Sequence, residues 1–177
     1  MKIEKTNAVR LLDKEKIEYK LIPYEVDESD LSAVHVAEQL NEPVEQLFKT
    51  LVLKGDKSGY FVCIIPGAKE LDLKTAAKVS GNKSCDMIPM KDLLNVTGYI
   101  RGACSPIGMK KKFPTYIDVS CKKYNFIYIS AGKRGLQIQI RPDDLIQVVD
   151  IKTEKNSRMQ YCIDNQLKFK HSYSPKK

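Results

Sequence analysis

The chain has no tryptophan and only two histidines among its 177 residues, His35 and His171. A Ser-His-Asp or Cys-His centre needs an imidazole at the site. His35 lies within the amphipathic stretch VHVAEQL and reads as a helix-surface or core histidine, and His171 lies near the C-terminus. The five cysteines, at 63, 85, 104, 121 and 162, are odd in number and contain no CxxC. That spacing argues against both a disulfide framework and a zinc site, and no cluster of His, Cys, Asp or Glu has metal-ligand spacing. SGNKS (80–84) and SAGKRG (130–135) hold glycine and lysine but not the GxxxxGK[ST] of a nucleotide-binding loop. No apolar run nears the ~20 residues of a membrane span. The first residues, MKIEKTNAVRLLDKEKI, lack a signal-peptide core, so the expected location is the cytoplasm. Neither a metal nor a cofactor is expected.

What the chain does have is unevenly placed positive charge. Nine of its thirty basic residues, and one acid, Asp118, fall between Thr97 and Arg141. That segment carries the whole net charge of +8, and the remainder balances. Such concentration suits a polyanion-binding surface, and a solvated basic face is the plain alternative.

Length suggests one domain with an appendage, 1–150 and a tail or accessory element over 151–177. Periodicity predicts helices over 6–17, 29–40, 71–81, 89–98 and 141–149. Strands are predicted over 19–26, 47–54, 59–67, 115–120, 125–132 and 136–140, with 47–67 a hairpin across GDKSG. Pro23 confines the first strand to an edge or a bend. Residues 98–114, with three glycines and two prolines, form a shaped loop. This order does not alternate as a doubly wound sheet does. The expected fold is α+β, a mixed, largely antiparallel sheet or partial barrel with helices around it.

Three stretches offer chemistry without histidine. In QLFKTLVLKG (46–55), alternation puts Lys49 on one strand face with Leu47, Leu51 and Leu53. An ammonium there is costly unless paired. Lys49 is either an edge lysine that discourages aggregation or a site lysine followed by Thr50. In GYIRGACSPIG (98–108), glycines let backbone approach a ligand, and Cys104 is more readily structural than nucleophilic without a histidine. In SAGKRG, Lys133 and Arg134 sit on a turn that can meet phosphate or can be an ordinary basic hairpin.

FKTLV (48–52), IPGAKELDLKTAAK (65–78), GYIRGACSPIG (98–108), ISAGKRGLQIQI (129–140) and PDDLIQVV (142–149) occur in one order. In that order the chain resembles the YbaK/EbsC family of aminoacyl-tRNA deacylases, relatives of the editing insertion domain of bacterial prolyl-tRNA synthetase. The resemblance covers residues 3–150. It implies removal of a wrong amino acid from tRNA, typically cysteine from tRNA(Pro), with the substrate's own thiol attacking the ester. It places the essential lysine at Lys49 and the loop glycine at Gly102 as catalytic groups. Tyr24, Thr50, Ile100, Arg101, Ser130 and Gln137 become substrate contacts. Lys110, Lys111, Lys133 and Arg134 become tRNA contacts, and prolyl-tRNA synthetase a candidate partner. Ala103 and Gln137 depart from the family, which often has Gly and Asp there, so amino-acid specificity is open. The alternatives are a non-catalytic nucleotide-, RNA- or synthetase-binding relative and a deacylase for another small residue such as alanine.

Overall fold

The computed structural model describes residues 3–149; the expected accessory element over 151–177 lies outside them. α1 (Asn7–Lys14) starts at Thr6, whose hydroxyl accepts the Val9 N–H as an N-cap. β1 (Tyr19–Pro23) follows, then α2 (Ala33–Leu40), capped by Ser32. β2 (Phe48–Gly55) and β3 (Gly59–Pro66) form the expected hairpin. α3 (Leu73–Val79) has Asp72 as N-cap and leads into β4 (Cys85–Met87). α4 (Leu93–Thr97), β5 (Thr115–Ile117), β6 (Ile127–Ser130), β7 (Leu136–Ile140) and α5 (Pro142–Val149) complete the described chain.

Two sheets form, ordered β1-β7-β6 and β4-β2-β3-β5, and neither closes into a barrel. All pairs are antiparallel except β3 with β5. β1 is an edge strand, as Pro23 requires. Four expectations needed correction. β4 was not anticipated, because three residues carry no readable alternation. The helix predicted over 29–40 begins at Ala33, since Asp27 and Asp30 side chains bind the Ser29 and Ser32 N–H groups and hold that stretch in turns. The helix predicted over 89–98 is a 3-10 turn, Met90–Asp92, followed by the short α4. The strand predicted over 115–120 ends at Ile117, where Asp118 caps a 3-10 turn.

The main core lies between the sheets. Phe48 and Val52 of β2 and Ile138 and Ile140 of β7 meet there, with Ala8 and Leu12 of α1 closing one side. The opposite face of β2 is covered by two different helices. Leu47, just before β2, packs with Val36 and Ala37 of α2, whereas Leu53 packs with Ala76 and Ala77 of α3. Lys49 belongs to that face and lies in the gap between the two covers.

The β2–β3 turn is held by Asn82, which is buried. Its Oδ1 accepts the Lys57 and Ser58 N–H groups at 2.9 Å, and its Nδ2 donates to Ser58 and Ser80 hydroxyls. Asn82→Ala leaves two part-buried N–H groups without their acceptor and empties a buried polar position. Urea unfolding is expected to show a loss of about 1–3 kcal/mol.

Candidate active site

The pocket arises where β2 loses its neighbours on one side. The Leu47 carbonyl accepts Gly67 N–H on the β3 side, and the Val52 carbonyl accepts Ile88 N–H on the other. Backbone parity therefore turns the Thr50 N–H and C=O away from β3. On that side, among the described residues, β2 meets β6 only through a Leu47–Tyr128 bridge and meets β4 only from Leu53 onward. Between those points the two sheets part, and a cavity of about 400 Å³ opens.

Lys49, Thr50 and Leu51 form its strand wall, Ser130 and Gln137 its second wall, and Arg101, Gly102 and Cys104 one rim. Tyr24, Leu31 and Ser32 close another side. The third is apolar: Met87, Ile88, Met90 and Leu93. Seven of the eight predicted catalytic and substrate contacts thus meet in one cavity. Ile100 does not line it; the side chain is 45 % exposed, and only its backbone takes part locally, accepting the Ala103 N–H. The sequence reading missed the start of α2 and the methionines. Met87 and Met90 are exposed in the fold, and no local pattern in the sequence marks them.

Lys49 is half-buried, and burial holds its ammonium below the ordinary lysine value of 10.5, with Glu70 opposing this. No Asp, Glu or His is among the residues lining the cavity. His35 sits instead 4.0 Å from Asp27 and 3.9 Å from Asp30. His171 lies outside the described residues. Burial pushes the Cys104 thiol up to about 12, so it stays protonated near neutrality and is no nucleophile. Thr50 Oγ1 and Gln137 Oε1 are buried and meet no hydrogen-bond partner among the described residues. Both residues line the cavity, and a buried polar atom without a partner is uncommon. Ser130 Oγ accepts the Gly132 N–H at 3.1 Å, which fixes the hydroxyl at the start of the basic turn.

The predicted tRNA contacts divide. Lys111 and Lys133 are exposed. Lys110 is exposed too, with Nζ 3.4 Å from the Asn95 carbonyl. Arg134 is engaged internally: Nε donates to the Arg101 carbonyl at 2.9 Å, and Nη1 meets Glu28 at 3.3 Å.

Residues 28–148 match the profile of the aminoacyl-tRNA editing domain. The chain belongs to that family. It is 49% identical over 147 residues to a protein of Enterococcus faecalis named "Putative Cys-tRNA(Pro)/Cys-tRNA(Cys) deacylase EbsC", spanning 83% of this chain and 90% of that one. A proline–tRNA ligase of Thermosipho africanus is 33% identical over 76 residues, 43% of this chain and 13% of the ligase. A crystal structure described as a "putative trans-editing enzyme for prolyl tRNA synthetase" superposes with a TM-score of 0.71. It is 21% identical and covers 85% of this chain and 96% of its own. At that identity the likeness shows the fold. No helix among the described residues is long and apolar enough to cross a membrane.

Proposed function

We propose that this editing domain works in trans in the cytoplasm, freeing cysteine from mischarged Cys-tRNA(Pro). The observation that carries this reading is a cavity of substrate size lined by a desolvated lysine and by two residues with unpartnered polar atoms, with no Asp, Glu or His in its lining. A site so equipped positions and polarises but supplies no nucleophile. The nucleophile then comes with the substrate. The cysteine sulfur attacks the ester carbonyl, a carbon–sulfur bond forms, and the carbon–oxygen bond to the ribose breaks. The thiol proton passes to the departing ribose oxygen, and a cyclic thioester leaves to hydrolyse in water. Holding sulfur and carbonyl in contact contributes ~7–11 kcal/mol of the barrier. Lys49 and the Gly102 N–H stabilise the developing negative charge. Gln137 Oε1 and Thr50 Oγ1 accept from the α-amine, and Ser130 borders the ribose.

A thiol as discriminator evades the limit on size selection, since one methylene separates substrates by only ~1–3 kcal/mol. Lys110, Lys111 and Lys133 hold the tRNA phosphates, and Arg134 adds field with whatever donors its internal bonds leave. Prolyl-tRNA synthetase is the natural donor of the mischarged tRNA.

The test is deacylation of tRNA(Pro) charged separately with cysteine, alanine and serine. Cysteine is expected to leave at least about 100-fold faster than the others, as removal of an intramolecular nucleophile demands. Alanine leaving as fast as cysteine would refute the thiol mechanism, and no release from any ester would refute the enzyme reading.

A further inference from the structure

The guanidinium of Arg134 touches the catalytic loop from outside the cavity. Arg134 is not among the cavity-lining residues, whereas Arg101 and Gly102 are. Its Nε donates at 2.9 Å to the carbonyl of Arg101, the carbonyl of the peptide whose N–H belongs to Gly102. A trans peptide is planar, so that C=O and that N–H point in opposite directions. Whatever fixes the first aims the second.

The local turn leaves this N–H free for such use. Ala103 N–H closes a turn on the Ile100 carbonyl at 3.0 Å, and Gly102, at the third position, has φ +84. This is the arrangement of a type II turn, whose central peptide takes no part in the closing bond. That peptide can flip unless something holds it. A Cβ built on Gly102 would lie 3.2 Å from Arg134 Nε and 3.2 Å from Leu31, so the guanidinium also packs against the glycine itself. The remaining grip is on Glu28, in the 24–32 segment that supplies Tyr24, Leu31 and Ser32 to the cavity.

We infer that Arg134 is a positioning residue for the deacylation: by holding the Arg101 carbonyl on the outside, it presents the Gly102 N–H to the reacting ester oxygen on the inside. A cation on the carbonyl also draws electron density from the same peptide and makes its N–H a stronger donor. The inference rests on the proposed deacylase reading. It changes the meaning of a basic residue in a tRNA-binding turn from phosphate ligand to brace.

Four proteins test it: wild type, Arg134→Gln, Arg134→Lys and Glu28→Gln, each checked for thermal unfolding. Single-turnover release from Cys-tRNA(Pro), measured across enzyme concentration, separates rate from affinity. The Gly102 amide resonance in 15N-labelled protein reports the peptide directly. Arg134→Gln is expected to slow the saturated rate by about 10–100-fold, as loss of an aligned donor does, and to shift the Gly102 resonance. Arg134→Lys should recover tRNA affinity but not the rate, because the charge returns without the fork. Glu28→Gln should stay within about threefold in rate, the Glu28 end of the ion pair being largely exposed. The inference is overturned if Arg134→Gln weakens only affinity, if Arg134→Lys restores the full rate, or if Glu28→Gln slows the saturated rate as much as Arg134→Gln. An unmoved Gly102 resonance overturns it too, and that readout stands even if wild type released no amino acid.

Discussion

Lys49→Met should produce a protein that is more stable than the parent and far slower at deacylation. The ammonium is removed from a half-buried position on the strand face shared with Leu47, Leu51 and Leu53, and an unbranched apolar side chain takes its place. Loss of a charge that stabilises the transition state in a water-poor site is expected to lower the rate by about 100–1,000-fold. The stability change has the opposite sign. Burial lowers the folded-state pKa below the ordinary value of 10.5, so charging Lys49 costs more in the folded protein than in the unfolded one. That penalty is complete below the folded pKa and disappears as pH rises through it toward the unfolded value. The Tm advantage of Lys49→Met, roughly 1–5 °C, is therefore greatest near neutrality and shrinks in strong alkali. Scanning calorimetry at neutral and alkaline pH checks both the size and the trend. A variant less stable than wild type at pH 7 would mean that the lysine is paired in a way that outweighs its burial.

Gly67→Ala is expected to have the second largest effect, on stability and activity together. Gly67 ends the hairpin and donates its N–H to the Leu47 carbonyl. A Cβ there would run into the Ala33 Cβ and lie 2.9 Å from the Leu47 carbonyl oxygen. Neither neighbour is the end of a flexible side chain, so α2 must move. Overpacking of this kind costs about 1–3 kcal/mol. Because Ser32, Ala33 and Val36 border the cavity, the displacement also widens the site. Urea unfolding should report the loss, and the KM for Cys-tRNA(Pro) should rise. A wild-type KM in a destabilised Gly67→Ala would separate α2 from substrate binding.

Much of this arrangement is legible in the sequence because its signals are local. Alternation in LQIQI puts Leu136, Ile138 and Ile140 into the core, as found. Thr6 and Asp72 mark helix starts through their own side chains. The choice between an edge lysine and a site lysine was not legible. It depends on which helix covers each end of β2, and α2 and α3 are far apart in sequence. The same holds for Arg134, whose partners Glu28 and Arg101 lie 106 and 33 residues away. Ile100 lies off the cavity because adjacency to Arg101 and Gly102 does not survive a tight turn. Short β4 escaped detection, yet its late start along β2 is what leaves the cavity open.

That parting of the sheets also has a consequence in time. Strand amides paired on both flanks exchange with solvent only when the whole fold opens, whereas an amide facing a gap exchanges through small local openings. Thr50 lies in the middle of a strand but has its N–H turned into the cleft. It should therefore exchange orders of magnitude faster than Leu51 beside it, whose backbone groups face β3. Within β2, an aminoacyl end bound in the proposed site is expected to slow Thr50 most. The least protected point of β2 is thus a built-in reporter of occupancy.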